Sequence, residues 1–354
     1  MRYPKPLQKG GTIGFVAPSF GAAIEPYATG LTNAESIFNK LGFNTREYTC
    51  ARMSSGIGIS ARPSMCGADF MNAYTDDLSD VLMSCGGGEL MCETISHIDF
   101  DVIAHTSPKW FMGYSDNTNL VFTMPILANT AAIYAPCAPS FGMEPWHESL
   151  HDAFDILQGI DPLTQGKSDT YTVSTYGLWE LESLKDSEHP LVPYNTTEAV
   201  DIKAYDSNLN PTDSLNLEGR MLVGCLDCVT NLVGTRFDKV QEFSRNNDGI
   251  LWCLEACELD PIGIRRSLWQ MAEAGWFEGA RGFVFGRPYL YQSEAFGINQ
   301  VDAVLTSLDE LEINVPVVLN ADIGHLPPQM PLISGSWANL SVNGAEVVVE
   351  MSLI

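Results

Sequence analysis

Over its first 140 residues the chain alternates short apolar runs with longer segments of helical spacing. No other feature restricts the fold as strongly. "GTIGFVAPS" (11–19) is an apolar run broken by Gly and Pro, a buried strand ending in a loop. "ATGLTNAESIFNKLGF" (28–43) places apolar residues near helical spacing and meets a glycine stop after Leu41. "NTREYTC" reads as a second strand. "DFMNAYTDDLSDVLMSCGGGEL" reads as a helix, a strand over 81–84 and a glycine turn, and "KWFMGYSDNTNLVFTMPIL" as a strand, a sharp turn and a helix. "AAIYAPC" adds another strand. Strands that alternate with helices in this way predict a parallel sheet covered on both faces, an α/β fold.

From about residue 160 the character changes. "GIDPLTQGKSDTYTVS" and the stretch from Ser183 to Asn216 are polar and rich in Pro, Asn, Asp and Thr, which suits linkers and loops with short strands. Order resumes at "GRMLVGCLDCVTNLVGT". It continues through strand 249–256, helix 264–277, strands 282–288 and 315–325, and a terminal pair, "WANLSVNG" and "AEVVVEMS". The expected division is an N-terminal domain over 1–165, a bridging loop segment over 166–200, and a mixed α/β domain over 201–354. No internal repeat is visible.

The net charge of −25 argues against nucleic acid and against an anionic membrane surface, since no basic stripe is present to neutralise phosphates. It leaves room for a small anionic substrate, which responds to local groups. No apolar run reaches the ~18 residues of a membrane span, and the basic N-terminus lacks the apolar region of a signal peptide. Nine cysteines, an odd number in a large chain, suit free thiols in a reducing cytoplasm. "CLDC" (225–228) has metal-ligand spacing, but no second Cys or His pair stands at a matching distance, so no metal or cofactor is expected.

Four stretches carry candidate chemistry. In "FMGYSDNTNL" (111–120), Ser115 follows Gly113 at a strand-to-helix turn. Such an elbow lifts a serine Oγ clear of the sheet and aims backbone N–H groups at an oxyanion. The second glycine of the usual elbow is missing, and Ser115 or Asp116 also suits a helix N-cap. In "SCGGGEL" (84–90), Gly86, Gly87 and Gly88 let backbone approach a ligand, or simply make a tight turn. "LWCLEACELD" (251–260) ends an apolar strand with Glu255, where a carboxylate is costly unless exposed or paired; Glu258 follows. "NADIGHLPPQMPLISG" (320–335) puts His325 on a stiff loop after another apolar strand, a place for a base or for a structural histidine. Taken together, Ser115, Glu255 and His325 run in the order serine, acid, histidine, each just after an apolar run where open α/β sheets bind ligands.

These segments, with "IDFDVI" and "GRMLVG", resemble in order and spacing the LD-carboxypeptidase family of serine peptidases, which also contains the microcin C self-immunity proteins. The resemblance runs from the first strand to the histidine loop and is weakest over 160–215. It implies a Rossmann-like N-terminal domain with a parallel sheet, a smaller mixed α/β C-terminal domain, and a site split between them. It implies Ser115 as nucleophile, His325 as base, Glu255 as the orienting acid, and an oxyanion hole from the N–H groups of Gly87 and Asp116. It further implies a cytoplasmic, metal-free homodimer acting on a small peptide or a peptidyl-nucleotide. One branch of the family releases D-Ala from murein tetrapeptides; the other hydrolyses peptidyl- or aminoacyl-adenylates and stacks an aromatic residue on adenine. "YGLWELE" (176–182) makes Trp179 the residue for that stacking, or else an anchor of the linker on the core. The family's Gly-Gly-Asn-Leu run is Val223–Gly224–Cys225–Leu226 here, putting a thiol where an amide would contact substrate. A non-catalytic binding module, with glycines holding a carboxylate and Ser115 capping a helix, is the remaining reading.

Overall fold

A computed structural model describes residues 1–354. Its first sheet has six strands, in the spatial order Leu332–Ser334, Ala132–Tyr134, Trp110–Gly113, Val81–Ser84, Thr12–Val16, Asn44–Glu47. The five N-terminal strands are parallel; Leu332–Ser334 returns from the far end of the chain and pairs antiparallel with Ala132–Tyr134. Val81–Ser84 and Trp110–Gly113 are wholly buried, as strands covered on both faces must be. Helix Tyr27–Lys40 buries Gly30, Leu31, Ala34 and Phe38, one face at helical spacing, and ends before Gly42, whose φ of +84° permits the reversal.

Strand order reverses at Thr12–Val16, which sits between the second and third strands of the chain. Loops on the two sides of such a switch point diverge and leave a crevice at the carboxyl ends of the strands. The triglycine loop and the Ser115 turn both open into that end.

The second sheet has nine strands. Its middle is parallel: Ser214–Cys225, Ile250–Glu255, Ala280–Gly286 and Val317–Ala321. Antiparallel strands complete it on both sides, including the terminal hairpin Trp337–Asn343 and Glu346–Ser352, whose residues alternate between buried and solvent-facing. Glu255 closes the central strand, and His325 lies four residues beyond Val317–Ala321.

Two segments depart from the expected division. Thr170–Ser174, inside the stretch read as a bridging loop, forms an edge strand of the second sheet against Glu346–Ser352. Leu332–Ser334 belongs to the first sheet although it lies far along the second half of the chain. Helix Gln300–Glu310 had no sequence expectation; Asn299 and Asp302 form a capping box at its start. A stack of Phe122, Trp252 and Trp276 joins the layers, with ring centroids 5.8–6.2 Å apart. The buried apolar residues of both sheets form one continuous core.

Candidate active site

Ser115 stands at the turn between strand Trp110–Gly113 and the short helices that follow. Its φ is +63°, a left-handed conformation costing a non-glycine residue about 1–3 kcal/mol. The surroundings hold it there. The Ser115 N–H donates to the Tyr134 hydroxyl (3.1 Å), and the Asn117 amide donates to the carbonyls of Gly86 (2.8 Å) and Tyr114 (3.0 Å). Asp116 is turned inward: its buried carboxylate accepts from Ser19 Oγ, from the Met91 N–H (2.8 Å) and from the Asn119 amide (2.9 Å). Burial raises the Asp116 carboxyl above the usual carboxylate range, and these donors offset part of that rise.

Ser115 Oγ lies 2.9 Å from His325 Nε2, and His325 Nδ1 lies 2.9 Å from Glu255 Oε2. The other oxygen of Glu255 accepts from the Tyr134 hydroxyl at 2.6 Å. Burial favours the neutral acid at Glu255, but the His325 charge and the hydrogen bonds from His325, Tyr134 and Cys225 outweigh it and hold the carboxyl below its usual range. An ionised Glu255 only accepts hydrogen bonds, so Nδ1 of His325 carries the proton, and Nε2 of the neutral ring is left to accept from Ser115. Gly324 makes room for this pair: it has φ +103°, and a Cβ there would come within 2.6 Å of Glu255 Oε2.

The triglycine loop crosses in front of Ser115. A Cβ on Gly87 would lie 2.9 Å from both Cβ and Oγ of Ser115, so only glycine fits. The Gly87 carbonyl accepts from the Phe20 N–H, while its own N–H has no backbone acceptor. A cavity of about 390 Å³ opens over Ser115 and His325, walled by Gly86, Gly87, Gly88 and Glu89 on one side and by Tyr27, Tyr114 and Ser140 on another. Cys257 also faces it.

Two expected substrate contacts lie elsewhere. Cys225 is buried behind Glu255 and does not line the cavity; its N–H donates to Thr118 Oγ1 (2.8 Å), and its thiol meets Asp227 Oδ2 at 3.4 Å. The reason is register. Cys225 pairs with Glu255 itself across adjacent strands, so its side chain supports the carboxylate from beneath. Trp179 is 7% exposed, donates its indole N–H to the Ala199 carbonyl (3.1 Å), and has the Arg287 guanidinium 5.0 Å over its ring. It lines a separate pocket with Arg287 and Tyr291, so it anchors the middle segment and does not reach the Ser115 cavity. Tyr134, which bridges Ser115 and Glu255, had no signal in the sequence beyond an aromatic residue in an apolar strand.

Cys225, Glu255 and His325 bring a sulfur, a carboxylate oxygen and a ring nitrogen within 4.8 Å of one another. Both nitrogens of His325 and both oxygens of Glu255 are engaged in hydrogen bonds, to each other and to Ser115 and Tyr134.

On this two-sheet frame, a serine hydroxyl, an imidazole and a buried carboxylate in relay at a cavity floor are the equipment of a serine hydrolase. The profile of the LD-carboxypeptidase N-terminal domain matches residues 13–135, and that of the C-terminal domain matches residues 218–340. The chain belongs to the LD-carboxypeptidase family and is a serine peptidase. It is 23% identical over 360 residues to a Bacillus subtilis (strain 168) protein named "Probable murein peptide carboxypeptidase", covering 98% of this chain and 94% of that one. Among solved structures, the microcin C7 self-immunity protein in complex with aspartyl sulfamoyl adenosine superposes with a TM-score of 0.80 at 20% identity, covering 100% of this chain and 99% of that one. The muramoyltetrapeptide carboxypeptidase of Oxalobacter formigenes superposes with a TM-score of 0.67 at 19% identity, covering 96% and 98%. No helix is long and apolar enough to cross a membrane.

Proposed function

We propose that the protein is a serine carboxypeptidase that hydrolyses an L,D-peptide bond of murein-derived peptides, with Ser115 as nucleophile. The observation that carries the reading is the unbroken relay Ser115 Oγ–His325–Glu255, with both links at 2.9 Å. His325 Nε2 takes the hydroxyl proton as Oγ attacks the carbonyl carbon. Glu255 stabilises the imidazolium that forms and keeps its own charge. In this reading the oxyanion receives hydrogen bonds from the N–H groups of Gly87 and Asp116; Gly87 lines the cavity and its N–H has no backbone acceptor. His325 returns the proton to the leaving amine, and an acyl-enzyme on Ser115 remains. Water, deprotonated by the same imidazole, then releases the acid.

A second reading is favoured by the structural neighbours. The self-immunity protein has been solved with aspartyl sulfamoyl adenosine and with glutamyl sulfamoyl guanosine, and it superposes more closely than the tetrapeptide carboxypeptidase does. In that reading the same relay hydrolyses an aminoacyl or peptidyl bond to a nucleotide. With Trp179 packed under Arg287, an aromatic residue other than Trp179 faces the base; Tyr27 lines the cavity wall and is 46% exposed.

Mass spectrometry of a murein tetrapeptide incubated with the protein tests the proposal. The expected result is loss of the terminal D-Ala by the unaltered enzyme and a fall of at least about 10⁴-fold in rate for Ser115→Ala. Persistence of the intact tetrapeptide, with hydrolysis of an aminoacyl-nucleotide in the parallel reaction, moves the assignment to the second reading. Full activity in His325→Ala contradicts the relay in both.

A further inference from the structure

The Tyr134 hydroxyl touches both ends of the relay. It accepts from the Ser115 N–H at 3.1 Å and meets Glu255 Oε1 at 2.6 Å, a shorter contact than either link of the relay itself. The placing of its proton has one solution. A backbone N–H only donates, an ionised carboxylate only accepts, and a hydroxyl has a single proton, which therefore goes to Glu255. Burial and the Glu255 charge raise the proton affinity of Tyr134 well above that of an ordinary tyrosine, so the hydroxyl keeps its proton where His325 titrates.

The ring is fixed. Tyr134 is fully buried, and its strand lies between Trp110–Gly113, which leads into the Ser115 turn, and Leu332–Ser334, which follows the His325 loop. Tyr114 packs edge-on against it, with ring centroids 6.3 Å apart. From this point the hydroxyl acts in two directions. It satisfies the inward N–H of a serine held at φ +63°. It also engages one oxygen of Glu255, which leaves Oε2 for His325 Nδ1 and draws part of the carboxylate charge away from the imidazole. Two other titratable groups pack on these residues: Cys225, whose proton is held by its hydrogen bond with Cys228 and by burial, and Tyr114, whose proton is held by burial. Cys257, Tyr289 and the Glu89 charge act on the His325 side.

We propose that Tyr134 is a positioning residue of the hydrolase: through one hydroxyl it holds the Ser115 turn in register with the Glu255 carboxylate and sets how much of that carboxylate's charge acts on His325. The inference rests on the reading of Ser115 as nucleophile.

The test uses a fluorophosphonate, which needs the nucleophile but not the natural substrate. Ser115 Oγ forms a bond to phosphorus, fluoride leaves, and the hydroxyl proton passes to His325 Nε2. The rate of labelling is followed across the acid limb of its pH profile, with thermal unfolding measured alongside. The unaltered enzyme should be labelled at Ser115, and Ser115→Ala should not. Tyr134→Phe keeps the ring and its packing. It should be labelled about 10- to 100-fold more slowly, as expected for the loss of a hydrogen bond to a charged group. Its acid limb should move to higher pH, because the carboxylate then puts its full charge on the imidazolium; Glu255→Gln, which removes that charge, moves the limb the other way. In the Glu255→Gln background, Tyr134→Phe should cost at least about threefold less than it does alone. If Tyr134→Phe does not fold, Tyr134→3-fluorotyrosine retains the hydroxyl as a stronger donor and should move the limb to lower pH. An unshifted limb in the folded variant, or a loss that simply adds to that of Glu255→Gln, overturns the inference and leaves the hydrolase reading standing. Absence of labelling at Ser115 in the unaltered enzyme overturns both.

Discussion

His325 is a base only when neutral. Burial opposes its charged form, but the Glu255 carboxylate at 2.9 Å, with the hydrogen bonds to Cys257 and Glu255, outweighs burial and raises its proton affinity well above that of an ordinary histidine. The other groups against the ring are Ser115 and the uncharged rings of Tyr114 and Tyr289, with the Glu89 charge acting in the same direction as Glu255. Activity must therefore rise with pH as the imidazolium loses its proton, and the acid limb of kcat/KM is expected to centre above about 6.5, the value of an unperturbed histidine. Glu255→Gln removes the charge and should move that limb to lower pH along with the loss in rate. A limb centred at or below 6.5 in the unaltered enzyme would show that Glu255 does not hold the proton on the ring.

Among the elements, the loop after Val317–Ala321 does most to place the base. Asp322 is fully buried there, paired with an Arg287 guanidinium that is only 4% exposed and also donates to the Asn320 carbonyl at 2.9 Å. The other Asp322 oxygen accepts from the Tyr176 N–H (2.9 Å), so the loop carrying His325 is tied both to the neighbouring strand end and to the middle segment. Arg287 in turn covers Trp179. Asp322→Ala leaves a guanidinium buried without its partner, which costs about 3–5 kcal/mol, and chemical denaturation should read a loss of that size. Turnover should fall with it as the Nε2–Ser115 distance loosens. A loss under about 1 kcal/mol would mean that the pair does not hold the loop.

Across the whole molecule, the two sheets depend on each other. Ser115 and Tyr134 come from the first, Glu255 and His325 from the second, and the relay exists only where the two sheet ends meet. Leu332–Ser334 completes the edge of the first sheet, Thr118 Oγ1 accepts from the Cys225 N–H, and Phe122 stacks on Trp252. Unfolding of the full chain is therefore expected as one transition, with tryptophan fluorescence and activity lost at the same denaturant concentration. Residues 1–165 expressed alone would lack the returning edge strand and the Trp252 face, and should show no cooperative transition. A soluble fragment that unfolds cooperatively would establish the N-terminal part as independent.

Periodicity and punctuation were sufficient for the local elements. The apolar runs at Val81–Ser84 and Ile250–Glu255 are short, continuous and bounded by turns, as strands covered on both faces are, and the glycine after Leu41 ends a helix because only a residue tolerant of positive φ does so cheaply. Ser115, Glu255 and His325 were legible for a related reason: each follows a buried strand, and the ends of such strands are where a polar side chain is free to act. What the pattern did not hold was which distant groups meet. Tyr134 is an apolar strand residue by pattern, yet its hydroxyl joins groups 19 and 121 residues away. Leu332–Ser334 lies between a proline and a glycine and reads as loop until Ala132–Tyr134 offers it an edge. Trp179 lies in a polar segment, and only Arg287, more than a hundred positions on, makes it a buried residue. Local sequence sets backbone preference over a few residues. The relay and the placing of Cys225 behind Glu255 arise from contacts between segments far apart in the chain, and those are decided by how the two sheets pack.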